Sequence, residues 1–347
     1  MAAARKSTRR ARALWWERLP DGELLDLRMC DLGLTIDGAL KQRVEQLHEE
    51  LALAGLRFRP YVWLSSDWFT PDGATGFALP FFLAHRRLVR LERAQMLEVE
   101  GGTHENCMKL LRHEAGHAID NAYRLHWRKS WRETFGRFSD PYRNTYTPRP
   151  DSRRHVLNLD FWYSQSHPAE DYAETFAVWL EPGSSWRERY AGWPALEKLQ
   201  RLDKMMAQIA NLPARVRSRK RSDTLPNLRM TLREHYEEKK GAYLDKDPSV
   251  YDWYLERVFS AEAAYIRRET AASFLRRNHR NLRRRVSSLT GKHAYLADQV
   301  LNEMIARSRE LGLRVTGLER DTRADAAVLV TVLTSNLLHG GSQRYRR

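Results

Sequence analysis

Residues 111–120 read LRHEAGHAID, and the pentapeptide His113-Glu114-Ala115-Gly116-His117 constrains this chain more than any other feature. Two histidines four positions apart share a face only on a helix, so the spacing predicts one here. Thr103, just after Gly101-Gly102, is placed to cap that helix, which is expected to run to about Arg128. On such a face both imidazoles can meet one Zn²⁺, with Glu114 pointing beside it. The plain alternative is a charged amphipathic helix with no metal. Context has to decide, because a zinc site that does chemistry needs a third protein ligand and an open position for water.

A metzincin would carry His six residues after His117 and Gly three after it, but Tyr123 and Asp120 stand there. The other common source is a Glu from a downstream helix. Residues 166–177 read SHPAEDYAETFA, which places Glu170 and Glu174 one turn apart on a helix opening at Pro168 and stopping at Glu181-Pro182-Gly183. One acid can bind metal while the other accepts the free N–H of a ligand imidazole and fixes its orientation. The rest of that helix is mostly apolar (Tyr172, Ala173, Phe176, Ala177, Trp179, Leu180), and carboxylates there are costly unless paired or metal-bound. Asp120, three after His117, could itself be a ligand. With Glu170 available, it is expected behind the ligands or on the helix surface.

The pairing of HEAGH with a downstream ExxxE resembles the gluzincins. More closely, RLERAQMLEVEGGTHENCMKLLRHEAGHAIDNAYRLH and SQSHPAEDYAETFAVWLEPGSSWRERYAGWPAL resemble the bacterial zinc-binding metallopeptidases, and ELLDLRMCDLGLTIDGAL and FRPYVWLSSDWFTPDGATGFALPFFLAHRRL extend the likeness over about residues 19–205. The resemblance implies a zincin-like α+β domain with zinc on His113, His117 and Glu170. It makes Glu114 the general base and Glu174 the group that orients His113. Tyr163, seven residues before Glu170, would stabilise the oxyanion, as a Tyr shortly before the ligand Glu does in related gluzincins. Nothing in 222–347 carries a likeness.

Around the motifs, Ile36 to Leu53 has helical spacing, and Gly55 ends it. Phe58–Leu64, Gly76–Phe82 and Arg87–Leu91 read as three short strands, and the second is expected to be the edge that pairs with extended substrate. Residues 139–155 form a long loop rich in Pro, Arg and Tyr, of the kind that serves as a lid. His167 is expected to cap the helix at Pro168, Cys107 to be a buried thiol, and His104 and His126 to face solvent. The organisation read from this is a basic flexible arm (1–12), a catalytic domain (13–212), a basic linker (213–227) and a helical C-terminal domain (228–347).

The net charge of +15 sorts by region. Residues 1–12 hold five basic side chains and no acid, residues 13–200 are slightly acidic at −3, and residues 201–347 carry +13. The chemistry-bearing segment is therefore near neutral. The excess lies in the arm and in clusters such as RVRSRKR (215–221) and RRNHRNLRRR, with Arg276, Arg277, Arg280, Arg283, Arg284 and Arg285. Such clusters suit an acidic polypeptide or a nucleic acid. A rival reading follows: a nucleic-acid- or protein-binding module with a structural or vestigial zinc site. Two cysteines, Cys30 and Cys107, exclude an all-Cys zinc cage and a disulfide scaffold, which favours a reducing, cytoplasmic setting. No apolar run is long enough for a membrane span, and no apolar stretch in the first residues marks a secretion signal. Three ligands with a Glu beside them describe an open site, so zinc-dependent cleavage of a peptide or protein substrate is the favoured expectation.

Overall fold

The described residues build an α+β fold made mostly of helices, with two small two-stranded sheets among them. The computed structural model describes residues 14–142, 146, 149, 151–241, 251–290 and 294–340, so the arm at 1–12 lies outside the described residues. Among those described, no helix is long and apolar enough to cross a membrane.

Helix α1 (Gly38–Leu53) follows Asp37 and buries Leu40, Val44, Leu47 and Leu51, the three- and four-residue spacing of one helical stripe. Strands β1 (Tyr61–Ser65) and β2 (Gly76–Pro80) then pair in parallel, Tyr61 opposite Gly76 and Ser65 opposite Pro80. Gly76 is required there, because a Cβ would fall 2.2 Å from the Tyr61 carbonyl oxygen. The connection between the strands folds back so that the Ala78 amide donates to the Phe69 carbonyl at 2.8 Å. β2 is thus buried throughout and flanked on both sides, which corrects the expectation of a free edge.

The third expected strand is instead part of helix α2 (Arg86–Met96), capped by the His85 ring, which accepts from the Arg87 amide. Its buried residues Leu88, Leu91, Glu92 and Met96 keep helical spacing. The window Arg87–Leu91 alone is too short to show that period. Helix α3 (His104–Tyr123) carries HEAGH and begins at Thr103, whose hydroxyl accepts from the Asn106 amide; it stops at Arg124, in the left-handed region at φ 53°. Helix α4 (Lys129–Phe135) and helix α5 (Pro168–Leu180) follow, α5 carrying Glu170 and Glu174.

Gly116 sets the distance between α3 and α5. A Cβ on it would sit 3.2 Å from the Ala173 Cα and from Phe176 Cβ and Cδ1, so the missing side chain lets the two helices close up. Gly116→Val places a branched side chain against backbone that has nowhere to go. We expect it to lower stability by about 1–3 kcal/mol, checked by denaturant titration, and to shift Glu170 and Glu174, which ride on the displaced helix, away from His113 and His117.

Helix α6 (Ala195–Ile209) completes this half, and the chain then takes a course the composition does not suggest. Instead of hanging free, residues 215–223 are strapped to the first sheet. The Ala122 carbonyl accepts from the amides of Arg215 and Val216. Thr75, Tyr61, Trp63 and Ser65 donate to the carbonyls of Ser218, Lys220, Ser222 and Asp223 at 2.6–2.9 Å. The basic side chains stay exposed while their backbone is fixed. This part of the expected linker at 213–227 therefore lies against the first sheet. Helix α7 (Leu232–Gly241) buries Leu232 and Tyr236 in the first core, and Lys239 and Lys240 donate to Glu92 and Gln95 of α2.

The second core gathers residues from Tyr251 to Leu333. It is built by helices α8 (Ala271–Thr290), α9 (Ala294–Glu310) and α10 (Glu319–Gly340), with strands β3 (Phe259–Ser260) and β4 (Arg314–Val315) paired antiparallel beside them. Tyr295 of α9 packs on the first core. Among the described residues the first core thus takes in Leu232, Tyr236 and Tyr295, and the second begins at Tyr251.

Candidate metal centre

The site is where α3 and α5 cross, and backbone geometry explains its make-up. Positions 113 and 117 project from one face of α3, and positions 170 and 174 from the facing side of α5. His113 Nε2, His117 Nε2 and Glu170 Oε2 meet there. His113 lies 3.1 Å and His117 3.3 Å from the Glu170 oxygen, and the two imidazole nitrogens are 3.2 Å apart. A tetrahedral zinc with bonds of about 2.0–2.1 Å sets its ligands about 3.3–3.4 Å apart, so this near-equilateral triangle fits one face of such a sphere. The donor set, two imidazoles and a carboxylate, is also one that zinc takes. His113 and Glu170 are buried, whereas the His117 side chain is 17% exposed, so the triangle opens on the His117 side.

The charges of the cluster shift one another's titration. Burial opposes charge on His113, yet hydrogen bonds and charges from Glu170 and Glu174 hold its imidazole well above the ordinary range. Burial likewise opposes charge on His117, which is still raised by the Glu170 carboxylate. Burial alone would push Glu170 up, but His117 and His113 hold its carboxyl well below the usual value. Without metal the cluster keeps protons between its ligands, and those are the protons a divalent cation would displace.

His113 Nδ1 is held by Glu174 Oε1 at 2.8 Å, and Glu174 is itself saturated. Its Oε1 also accepts from Asn158 Nδ2 and its Oε2 from the Leu159 amide, each at 2.8 Å. Such an acid fixes the tautomer of its imidazole, so Glu174→Gln should lower zinc affinity by about 10–100-fold, measured by competition with a chromophoric chelator.

Glu114 lies beside the triangle, 6% exposed. The Thr70 hydroxyl donates to its Oε2 at 2.7 Å. Burial pushes the Glu114 carboxyl up, with the neighbouring imidazoles pulling partly against that. A carboxylate moved toward neutrality is better matched to taking and returning a proton. Thr70 is positioned by the doubled-back strand connection, which Asn121 of α3 anchors by donating to the carbonyls of Pro71 and Ala74.

Tyr163 sits in a single helical turn (Asp160–Gln165), its ring 5.7 Å from the His113 ring, and the residue before it, Trp162, is in the left-handed region at φ 54°. Asp120 turns its carboxylate to His126, accepting from the backbone amide at 2.8 Å and pairing with Nδ1 at 3.0 Å. His126 in turn is not solvated; it stacks on Phe138 with ring centroids 4.2 Å apart. His167 caps α5 as its position before Pro168 suggests, accepting from the Ala169 amide, and Cys107 is buried.

Four neighbours of the site were not singled out by sequence reading: Thr70, Asn158, Tyr142 and Tyr146. Tyr142 donates to Glu170 Oε1 at 2.9 Å. Tyr146 is half-buried, and burial pushes its hydroxyl up, with Glu174 and Glu170 adding to the effect. Both tyrosines lie in the 139–155 loop, whose length was the only pointer to them. Comparison with family models, with curated proteins and with solved structures gives no match to this chain.

Proposed function

We propose that the chain is a zinc-dependent metallopeptidase of the gluzincin type, built on a zincin-like domain, that hydrolyses peptide or related amide bonds. The observation that carries the reading is the triangle of His113, His117 and Glu170 atoms, 3.1–3.3 Å on a side, with the buried Glu114 carboxylate next to it. The resemblance of HEAGH and the downstream ExxxE to the bacterial zinc-binding metallopeptidases supports the same assignment.

In this reading His113, His117 and Glu170 would hold Zn²⁺, which would supply Lewis acidity for the scissile carbonyl and for water. Glu114 takes the proton of the attacking water and returns it to the leaving amine, while Thr70 keeps its carboxylate aimed. Glu174 orients His113, and Tyr163 is the hydrogen-bond donor for the oxyanion. Asp120 acts at a distance, through His126.

The C-terminal cluster would serve recruitment. Arg277 is paired with Glu269 and Glu319, and Arg283 with Asp298. Arg276, Arg280, Arg284 and Arg285 are exposed on α8 with no ion pair among the described residues, which suits an acidic polypeptide or a nucleic acid. Charge reversal at these four in the full chain should abolish salt-dependent binding of single-stranded RNA or of polyglutamate, read by anisotropy. Unchanged binding removes the recruitment role. Both cysteines are free, in keeping with a cytoplasmic setting. The test of the reading as a whole is zinc-dependent peptide cleavage that disappears when Glu114 is changed.

A further inference from the structure

We propose that Tyr142 is a positioning residue for the metal centre: its hydroxyl ties up the distal oxygen of Glu170, so that this ligand offers zinc a single oxygen and the remaining position stays open. The inference rests on the metal reading above and adds a role for a residue outside both motifs.

The two oxygens of Glu170 have different partners. Oε2 faces both imidazoles at 3.1 and 3.3 Å, whereas Oε1 accepts from the Tyr142 hydroxyl at 2.9 Å. A carboxylate with both oxygens available can grip a metal through the pair, and doing so would take up coordination space that water needs. A donor on the distal oxygen competes with that second bond. Ligating carboxylates are commonly held by such outer partners, which tune the metal as well as the geometry.

Tyr142 is not a loop residue that happens to lean in. Its ring stacks on His167 with centroids 3.6 Å apart and planes inclined by 19°. His167 is locked at both nitrogens: Nδ1 accepts from the Ala169 amide at 3.1 Å, and Nε2 donates to the Asp140 carbonyl at 2.8 Å. The ring that caps α5 therefore also grips the loop two residues before Tyr142. Behind it, Phe138 meets His167 edge-on at 6.4 Å and His126 face-on at 4.2 Å, and Asp120 fixes His126. A chain of contacts thus runs from Asp120, three residues past the second ligand histidine, to the distal oxygen of the third ligand. The start of the 139–155 loop is held at the metal centre by stacking, which leaves the hydroxyl a fixed target.

The test uses the full chain and Tyr142→Phe, which keeps the stack, deletes one oxygen from a side chain 38% exposed, and leaves the core intact. Both proteins are stripped with a chelator and loaded with Co²⁺ alone, and visible spectra are recorded; zinc affinity is measured by chelator competition. The parent should show the intense absorption of four-coordinate cobalt. The variant should show the weaker absorption of a higher coordination number, as the freed Glu170 oxygen joins, with zinc affinity changed by about tenfold. Equal spectra together with affinities equal within twofold would overturn the role of Tyr142 while leaving the metal centre standing. A parent that takes up no cobalt overturns the metal centre, and the inference with it.

Discussion

Glu114→Gln should bind zinc as the parent does and lose peptide cleavage by about 10²–10⁴-fold. The substitution is nearly isosteric, and Thr70 Oγ1 can still meet the amide, so the local packing should survive. Only the capacity to take a proton is removed. Burial raises this carboxyl toward neutrality, which in the proposed mechanism suits it to take and return a proton. Zinc content is read by elemental analysis and cleavage by mass spectrometry of the products. A variant that cleaves as fast as the parent would remove Glu114 from the mechanism, whatever its zinc content.

Zinc affinity should fall steeply as pH is lowered, and the fall should begin above the ordinary imidazole value near 6.5. Both histidines of the proposed zinc site are raised when no metal is bound, and each proton that zinc must displace costs about tenfold in affinity for every pH unit below its pKa. With two such histidines the slope approaches a hundredfold per unit. The sign for stability follows from the same shifts. The raised imidazoles contribute stability to the metal-free protein that is fully present below 6.5 and is lost as pH rises through their raised values. Glu170, held low, contributes stability above 4.5 that is lost only as pH falls through its lowered value. The contribution of these three groups to the stability of the metal-free protein should thus be largest between about pH 4.5 and 6.5, and the gain in Tm on adding zinc should grow from there toward pH 8–9. Melting curves with and without zinc across that range measure it. A gain that stays constant with pH would mean that zinc is not displacing protons from His113 and His117.

What could be read from the sequence was what helical geometry encodes locally. HEAGH and ExxxE each report their own face through four-residue spacing, and the facing of α3 and α5 follows once Gly116 is recognised as the point of closest approach. His167 before Pro168 reads as a cap for the same local reason. Its second use, as a platform for Tyr142, depends on a loop returning across the site, which no spacing records. Thr70 and Asn158 are hidden similarly, reaching Glu114 and Glu174 from connections 44 and 16 residues away in sequence. The strap at 215–223 leaves no mark in the sequence, because its bonds to the sheet use backbone carbonyls, which any sequence could offer, while the arginines that dominate its composition are exposed. Arg87–Leu91 is helical although Leu88, Val89 and Leu91 suit either period over so short a window.

The reading of the site as a zinc hydrolase meets its most direct test in one experiment. Metal-free full-length protein is given one equivalent of Zn²⁺ and incubated at neutral pH with a diverse library of peptides, and new termini are identified by mass spectrometry. The expected result is cleavage that appears with zinc, disappears on chelation and is missing in His117→Ala. Protein that holds its zinc tightly at His113, His117 and Glu170 yet releases no product from any library member would contradict the account.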